Sequence, residues 1–133
     1  MNVSIIIVNY NTREITQNCI ESIFQHTKGI DFEVILVDNA STDGSIELFE
    51  KDTRLKFIES GKNIGFGKAN NLGYTYSKGK YIFLLNSDTI LLNNAVKEFF
   101  EIHEKMPINV ACLGCVLKAA DGVTGNNSYG TFP

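Results

Sequence analysis

Short apolar runs alternate with stretches of helical periodicity along the whole sequence, and this rhythm constrains the fold more than any other feature. Ser4–Val8 is a β-branched run short enough for a buried strand, and Phe32–Val37, Leu55–Ile58, Tyr81–Leu85 and Val110–Leu117 repeat the pattern. Between the first two, Ile15, Cys19, Ile20, Ile23 and Phe24 recur at helical spacing as one stripe, and Asn11 with Glu14 three residues on has the form of a capping box. Ser41-Thr42-Asp43 caps a short helix running to about Glu50. Phe66–Ser77 reads as a helix with Gly79 at its C-terminal end. Asn93–Lys105 is amphipathic through Val96, Phe99 and Phe100, and Pro107 stops it. Asp121-Gly122 then signals a turn into a weak returning strand. Such alternation implies an α/β fold, a mostly parallel central sheet flanked by helices. Burial on both faces explains why the strands are apolar throughout.

No linker or repeat divides the 133 residues, so 1–133 read as a single domain. With 44% hydrophobic and 20% charged residues the chain can bury a core without disulfides or metal. The net charge of −3 comes without any Lys/Arg cluster, which excludes a nucleic-acid partner. No apolar run approaches the roughly 18 residues of a membrane span, and no basic segment precedes an apolar stretch at Met1, so neither a transmembrane helix nor a signal peptide is expected.

In open parallel sheets, ligands bind beyond the carboxyl ends of the strands. Those ends read Asn9-Tyr10-Asn11, then Asp38-Asn39-Ala40-Ser41-Thr42-Asp43-Gly44, then Gly61 to Asn71, then Asn86-Ser87-Asp88-Thr89. All four are polar, which points to a polar small-molecule site at one edge. The turn after the first strand has no glycine, so a dinucleotide-type pyrophosphate site is excluded. An Asp closing the second strand suits a nucleoside. An acidic residue after the fourth can hold a divalent cation, and the cation a diphosphate. That intermediary reconciles an acidic chain with an anionic ligand.

These segments resemble the nucleotide-binding half of family-2 glycosyltransferases. The likeness is carried by Val3–Tyr10 with Asn11, by Val34-Ile35-Leu36-Val37-Asp38-Asn39-Ala40-Ser41-Thr42-Asp43-Gly44, by Asn63-Ile64-Gly65-Phe66-Gly67-Lys68-Ala69-Asn70-Asn71-Leu72-Gly73, and by Leu84-Leu85-Asn86-Ser87-Asp88. Gly114 to Pro133 is similar to the rhamnosyltransferase-like members. The resemblance implies a GT-A, Rossmann-like nucleotide-diphospho-sugar transferase fold. It implies that Asn9, Tyr10 and Asn11 line the nucleoside pocket and that Asp38 accepts a hydrogen bond from base or ribose. Asn63, Gly65, Phe66, Gly67, Ala69 and Asn70 would wall the ribose and sugar, with the two glycines letting backbone approach the ligand. Asn86 and Ser87 would contact the nucleotide sugar, and Asp88 would be the metal-binding carboxylate for Mg²⁺ or Mn²⁺. Position 86 is Asn where the family's acidic motif has Asp, as in rhamnosyltransferase-like members, which hints at a deoxysugar donor such as dTDP-rhamnose. The donor class is a dTDP-, UDP- or GDP-sugar, and the acceptor a glycan or lipid-linked glycan.

Inverting transfer needs a base to deprotonate the acceptor. Asp88 is committed to metal, Asp38 to the nucleoside, and Asp121 to a turn. In the family the base follows Phe132-Pro133, so the expectation is a C-terminally truncated protein, inactive alone, with exposed apolar surface and hence a homo-oligomer. The alternatives are a non-catalytic nucleotide-binding or interaction module and a nucleotidyltransferase. Among the remaining residues, Asp43 reads as a helix cap, Cys19, Cys112 and Cys115 as buried reduced thiols of a cytoplasmic protein, and Phe99 and Phe100 as core. His26 and His103 read as surface residues, and Glu98, Glu101 and Glu104 as a solvated face. Lys62 and Lys68 flank the pocket without an assigned role. The membrane enters only as a surface whose inner face the protein could visit.

Overall fold

The computed structural model describes residues 1–119 and the backbone of 125–126. Strands β1 (Val3–Asn9), β2 (Phe32–Asp38), β3 (Leu55–Glu59) and β4 (Tyr81–Asn86) form a wholly parallel sheet in the order β3-β2-β1-β4. Each expected strand up to β4 is present, lengthened by one or two residues. Helices α1 (Arg13–His26), α2 (Ser45–Phe49), α3 (Phe66–Thr75) and α4 (Ala95–Glu104) fill the connections.

Alternate residues of each strand feed opposite faces, as the pleat requires. On one face Val3, Ile5, Ile7, Val34, Leu36 and Leu85 pack with Cys19, Ile20 and Ile23 of α1, Phe49 of α2 and Val96 of α4. On the other, Ile6, Val8, Ile35 and Val37 meet Ala69 of α3, with Leu72 alongside. Among the described residues only α3 covers this second face. It lies so close that a Cβ on Gly73 would sit 2.7 Å from Ile6 Cγ2. β4 lies beyond its reach, which leaves Leu84 60% exposed. At the amino end of the sheet the turn into β4 presses on β1. A Cβ on Gly79 would fall 2.3 Å from the Ser4 amide nitrogen, so only glycine fits, and Gly79 N–H donates to Ser4 Oγ at 2.8 Å.

Several expectations are corrected. Val110–Leu117 does not form a strand: residues 110–116 have no regular structure, and only Leu117–Lys118 (β5) pairs, antiparallel with Gly125–Asn126 (β6). A strand exists only through a hydrogen-bonded neighbour, and residues 110–116 have none among the described residues. Cys112 and Cys115 are therefore exposed rather than buried, while Cys19 is in the core. The Asp121-Gly122 turn and Phe132-Pro133 lie outside the described residues. The capping box at α1 is also absent. Asn11 sits at φ +53°, and the first α1 amide, Arg13 N–H, donates instead to Asp43 Oδ2 at 2.9 Å. Phe99 and Phe100 are half-buried, Phe99 edge-on to Phe83 and Phe100 to Tyr81. Neither histidine is fully at the surface, and His103 lies against the Tyr81 ring, 4.6 Å between centroids. Glu98, Glu101 and Glu104 are all exposed, and Glu104 pairs with Lys80 at 2.6 Å. Among the described residues no helix is long and apolar enough to cross a membrane.

Candidate functional site

The chain steps outward from β1 to β2 to β3 and then returns to the other side of β1 for β4. The reversal parts the loops above β1 and β4, which is where a parallel sheet leaves a crevice. A cleft of about 490 Å³ opens there, within the range typical of small-molecule sites. Its lining includes Tyr10 and Thr12 after β1, Asn39 after β2, Asn63 and Phe66 after β3, and Asn86, Ser87 and Asp88 after β4, with Val8 and Ile15 beneath.

The residues that close β1 and β2 lie behind this lining. Asn9 and Asp38 are in register and fully buried. Asn9 Nδ2 donates to Asp38 Oδ2 at 2.7 Å and to Ser41 Oγ at 3.0 Å, and its Oδ1 accepts from Thr12 at 3.0 Å and Thr16 at 2.8 Å. All four valences of the amide are satisfied within the protein. The other carboxylate oxygen of Asp38 accepts the Ser41 amide at 2.8 Å. These two side chains therefore brace the loops, and neither meets the cleft as the resemblance implied. Asn11 is likewise a brace, its Oδ1 taking the Thr42 amide at 2.7 Å. Asp43 ties α1 to α2. Burial opposes ionisation of its carboxyl, but hydrogen bonds from Ser45 and from the Arg13 amide outweigh that and hold it below the ordinary carboxylate range.

Of the proposed sugar wall, Asn63 and Phe66 line the cleft, with Phe66 58% exposed. Ala69 is core, and Asn70 turns inward to the Phe66 carbonyl at 3.1 Å. Gly65 takes φ +81° at the start of α3, a backbone state that excuses its missing side chain, whereas Gly67 faces open space. The four residues missed from sequence are Thr12, Ile15, Asn39 and Val8. Ile15 has the spacing of the buried α1 stripe, but at 49% exposure it lines the cleft instead.

Asn86-Ser87-Asp88-Thr89 is a tight turn closed by Thr89 N–H to the Asn86 carbonyl at 3.1 Å. Asp88 is exposed on it, and beneath lies Cys19, whose thiol is pushed up to about 12 by burial first and by the Asp88 charge second. Asp88 is the one charged side chain in the lining. No group of three or more His, Cys, Asp or Glu side chains suited to a metal occurs among the described residues. The turn thus offers one carboxylate with the Asn86 carbonyl and the Ser87 hydroxyl nearby, a donor set of hard oxygens that fits Mg²⁺ or Mn²⁺ only if the ligand completes the shell.

Comparison with known proteins places these observations. The profile described as Glycosyl transferase family 2 matches residues 4–130. Glycosyltransferase GlyG of Streptococcus pneumoniae is 32% identical over 108 residues, which is 77% of this chain but 36% of that protein. The chain therefore spans about a third of that relative's length. A structure of Staphylococcus aureus TarS 1-349 in complex with UDP-GlcNAc superposes with a TM-score of 0.65 at 24% identity, over 87% of this chain and 38% of that one. The mannosyltransferase PcManGT of Pyrobaculum calidifontis, in complex with GDP-Man and Mn²⁺, gives 0.65 at 22% identity, over 72% and 30%. The structural likenesses establish the fold, the GT-A arrangement expected from the sequence, and the profile establishes the kinship: the chain belongs to glycosyl transferase family 2.

Proposed function

We propose that residues 1–133 are the donor-binding part of an inverting glycosyltransferase that moves a sugar from a nucleotide diphosphosugar to a glycan or lipid-linked acceptor. The observation that carries this reading is the charge of the cleft, which has one carboxylate and no cation in its lining. Alone, that surface repels a diphosphate; with a divalent ion on Asp88 it attracts one. Asp88 would hold Mg²⁺ or Mn²⁺ beside the oxygens of Asn86 and Ser87, and the ion would supply charge neutralisation for the departing diphosphate. Tyr10 and Phe66, both exposed aromatic rings in the lining, offer flat surfaces to a base or sugar. Since Asp88 is the one carboxylate in the lining, deprotonation of the acceptor falls to a residue outside this cleft. Asn86 in place of an acid favours a dTDP-linked deoxysugar over other donors. A nucleotide-sugar donor places the reaction in the cytoplasm, with a lipid-linked acceptor presented at the inner membrane face.

Support also comes from the kin, since TarS is described with UDP-GlcNAc and PcManGT with GDP-Man and Mn²⁺. The test is thermal unfolding with UDP, dTDP or GDP, with and without Mn²⁺. A nucleotide at a hundredfold excess over its Kd stabilises by about 2.7 kcal/mol, so Tm should rise by several degrees in the presence of the ion. Asp88→Ala should abolish the rise and leave the unliganded Tm nearly unchanged, because the side chain is exposed. Failure of all three nucleotides to raise Tm, or an undiminished response in Asp88→Ala, would sink the reading.

A further inference from the structure

The unpaired run after α4 holds two thiols and a glycine for which its conformation gives no reason. Val110 N–H donates to the Pro107 carbonyl at 3.0 Å, and from Ala111 to Cys115 no backbone group makes a further hydrogen bond among the described residues. Cys112 and Cys115 are exposed there, whereas Cys19, the third cysteine of the chain, is in the core. Gly114 lies outside the left-handed region, and a Cβ on it would meet nothing within 4 Å. Neither packing nor backbone therefore asks for glycine at 114. Neither exposed cysteine lines the cleft.

The spacing of the thiols supplies that reason. A disulfide needs its Cα atoms about 4.4–6.8 Å apart. In a strand, residues three apart stand roughly 10 Å from each other, too far to bridge. In a β-turn they stand under about 7 Å apart, and a type II turn requires a positive φ at its third residue, which glycine supplies. Cys112-Leu113-Gly114-Cys115 has glycine at that third place. No backbone hydrogen bond from Ala111 to Cys115 has to break for the turn to form. Burial of Cys19 leaves the other two as the thiols open to exchange.

We propose that Cys112 and Cys115 are a redox-modification site, closing reversibly into a disulfide across a turn centred on Leu113-Gly114. The oxidant is a small disulfide such as oxidised glutathione. One cysteine, as thiolate, attacks a sulfur of that disulfide, breaks its S–S bond and releases one small thiolate. The other cysteine, as thiolate, then attacks the protein sulfur of the mixed disulfide and releases the second. The chain gives up two electrons and two protons, which leave in the two small thiols. A bridged chain cannot lay residues 112–115 out as a strand, so oxidation bars the Val110–Leu117 run from β pairing. The test incubates the 133-residue chain with reduced and oxidised glutathione, quenches in acid and blocks the remaining thiols in denaturant. Mass spectrometry then reads the tryptic peptide Met106–Lys118, which carries both cysteines. With reduced glutathione at ~0.1 mM, the bridge should exceed the mixed disulfides at least tenfold, because groups on a short linker meet at roughly millimolar concentration. Dithiothreitol should restore both thiols, and Cys19 should stay unmodified until the chain is unfolded. Cys112→Ser and Cys115→Ser should each yield the mixed disulfide instead of the bridge. Gly114→Val should lower the bridge-to-mixed ratio at least fivefold, since an L-residue resists the left-handed region. All three positions are exposed, so none of these variants disturbs the core. Mixed disulfides that outweigh the bridge, disulfide-linked dimers in its place, or a ratio unmoved by Gly114→Val would each overturn the proposal.

Discussion

Ala40 holds φ +69° directly after the cleft residue Asn39, and it carries a Cβ there. The left-handed region costs an L-residue roughly 1–2 kcal/mol. Glycine adopts it freely but gives back about 0.4–1 kcal/mol through a looser unfolded chain. Ala40→Gly should thus stabilise by up to about 1 kcal/mol and raise Tm by a few degrees in a calorimetric melt. Cysteine reactivity is a second residue-scale test. Cys112 and Cys115 are exposed, and Cys19 is buried with its thiol pushed up to about 12. A chromogenic disulfide reagent at pH 8 should therefore titrate two thiols rapidly and the third only in guanidinium. The site was half legible at this scale. Sequence identifies the polar strand ends but not which residue of each end turns inward. Asn9 and Asp38 are level in the sheet and satisfy each other, and the residue that follows each strand, Tyr10 or Asn39, reaches the cleft. That one-residue offset follows from the side-chain alternation of a strand and from where the ladder stops, and composition carries no trace of it.

Between elements, Arg54 joins the start of β3 to α1. Its guanidinium donates to Glu21 Oε2 at 3.1 Å and to Asp52 Oδ2 at 2.7 Å and lies 4.6 Å from the Phe24 ring centre. The hydrogen bonds from Arg54 hold both carboxyls below their ordinary values of 4.5 and 3.8. Groups depressed on folding add stability above the unfolded pKa and lose it as pH falls through the folded one. Arg54→Ala should therefore cost stability at pH 7, about 1 kcal/mol given how exposed the pairs are, and the deficit should vanish by pH 2. Urea midpoints at pH 7, 4 and 2 would show it, and a deficit independent of pH would assign the cost to the Phe24 contact. The four helices and four sheet strands were legible because each carries its own period. The Val110–Leu117 run was misread because an apolar run is only half of a strand. The other half is a neighbour, and pairing is a property of distant chain that no local pattern reports.

For the molecule as a whole, order within the sheet matters more than any one motif. The reversal from β3 back across to β4 builds the cleft and brings the loops of all four strands to one end. The same order has a consequence during synthesis. β1 is central, yet its two neighbours are made at very different times: β2 ends at Asp38, and β4 only at Asn86. While the ribosome adds the roughly 27 residues from Glu59 to Asn86, at about 5–20 residues per second, the nascent chain can hold β3-β2-β1 with one flank of its innermost strand bare. For roughly 1 to 5 seconds per molecule, the most apolar strand of the protein would be the one a chaperone could grasp.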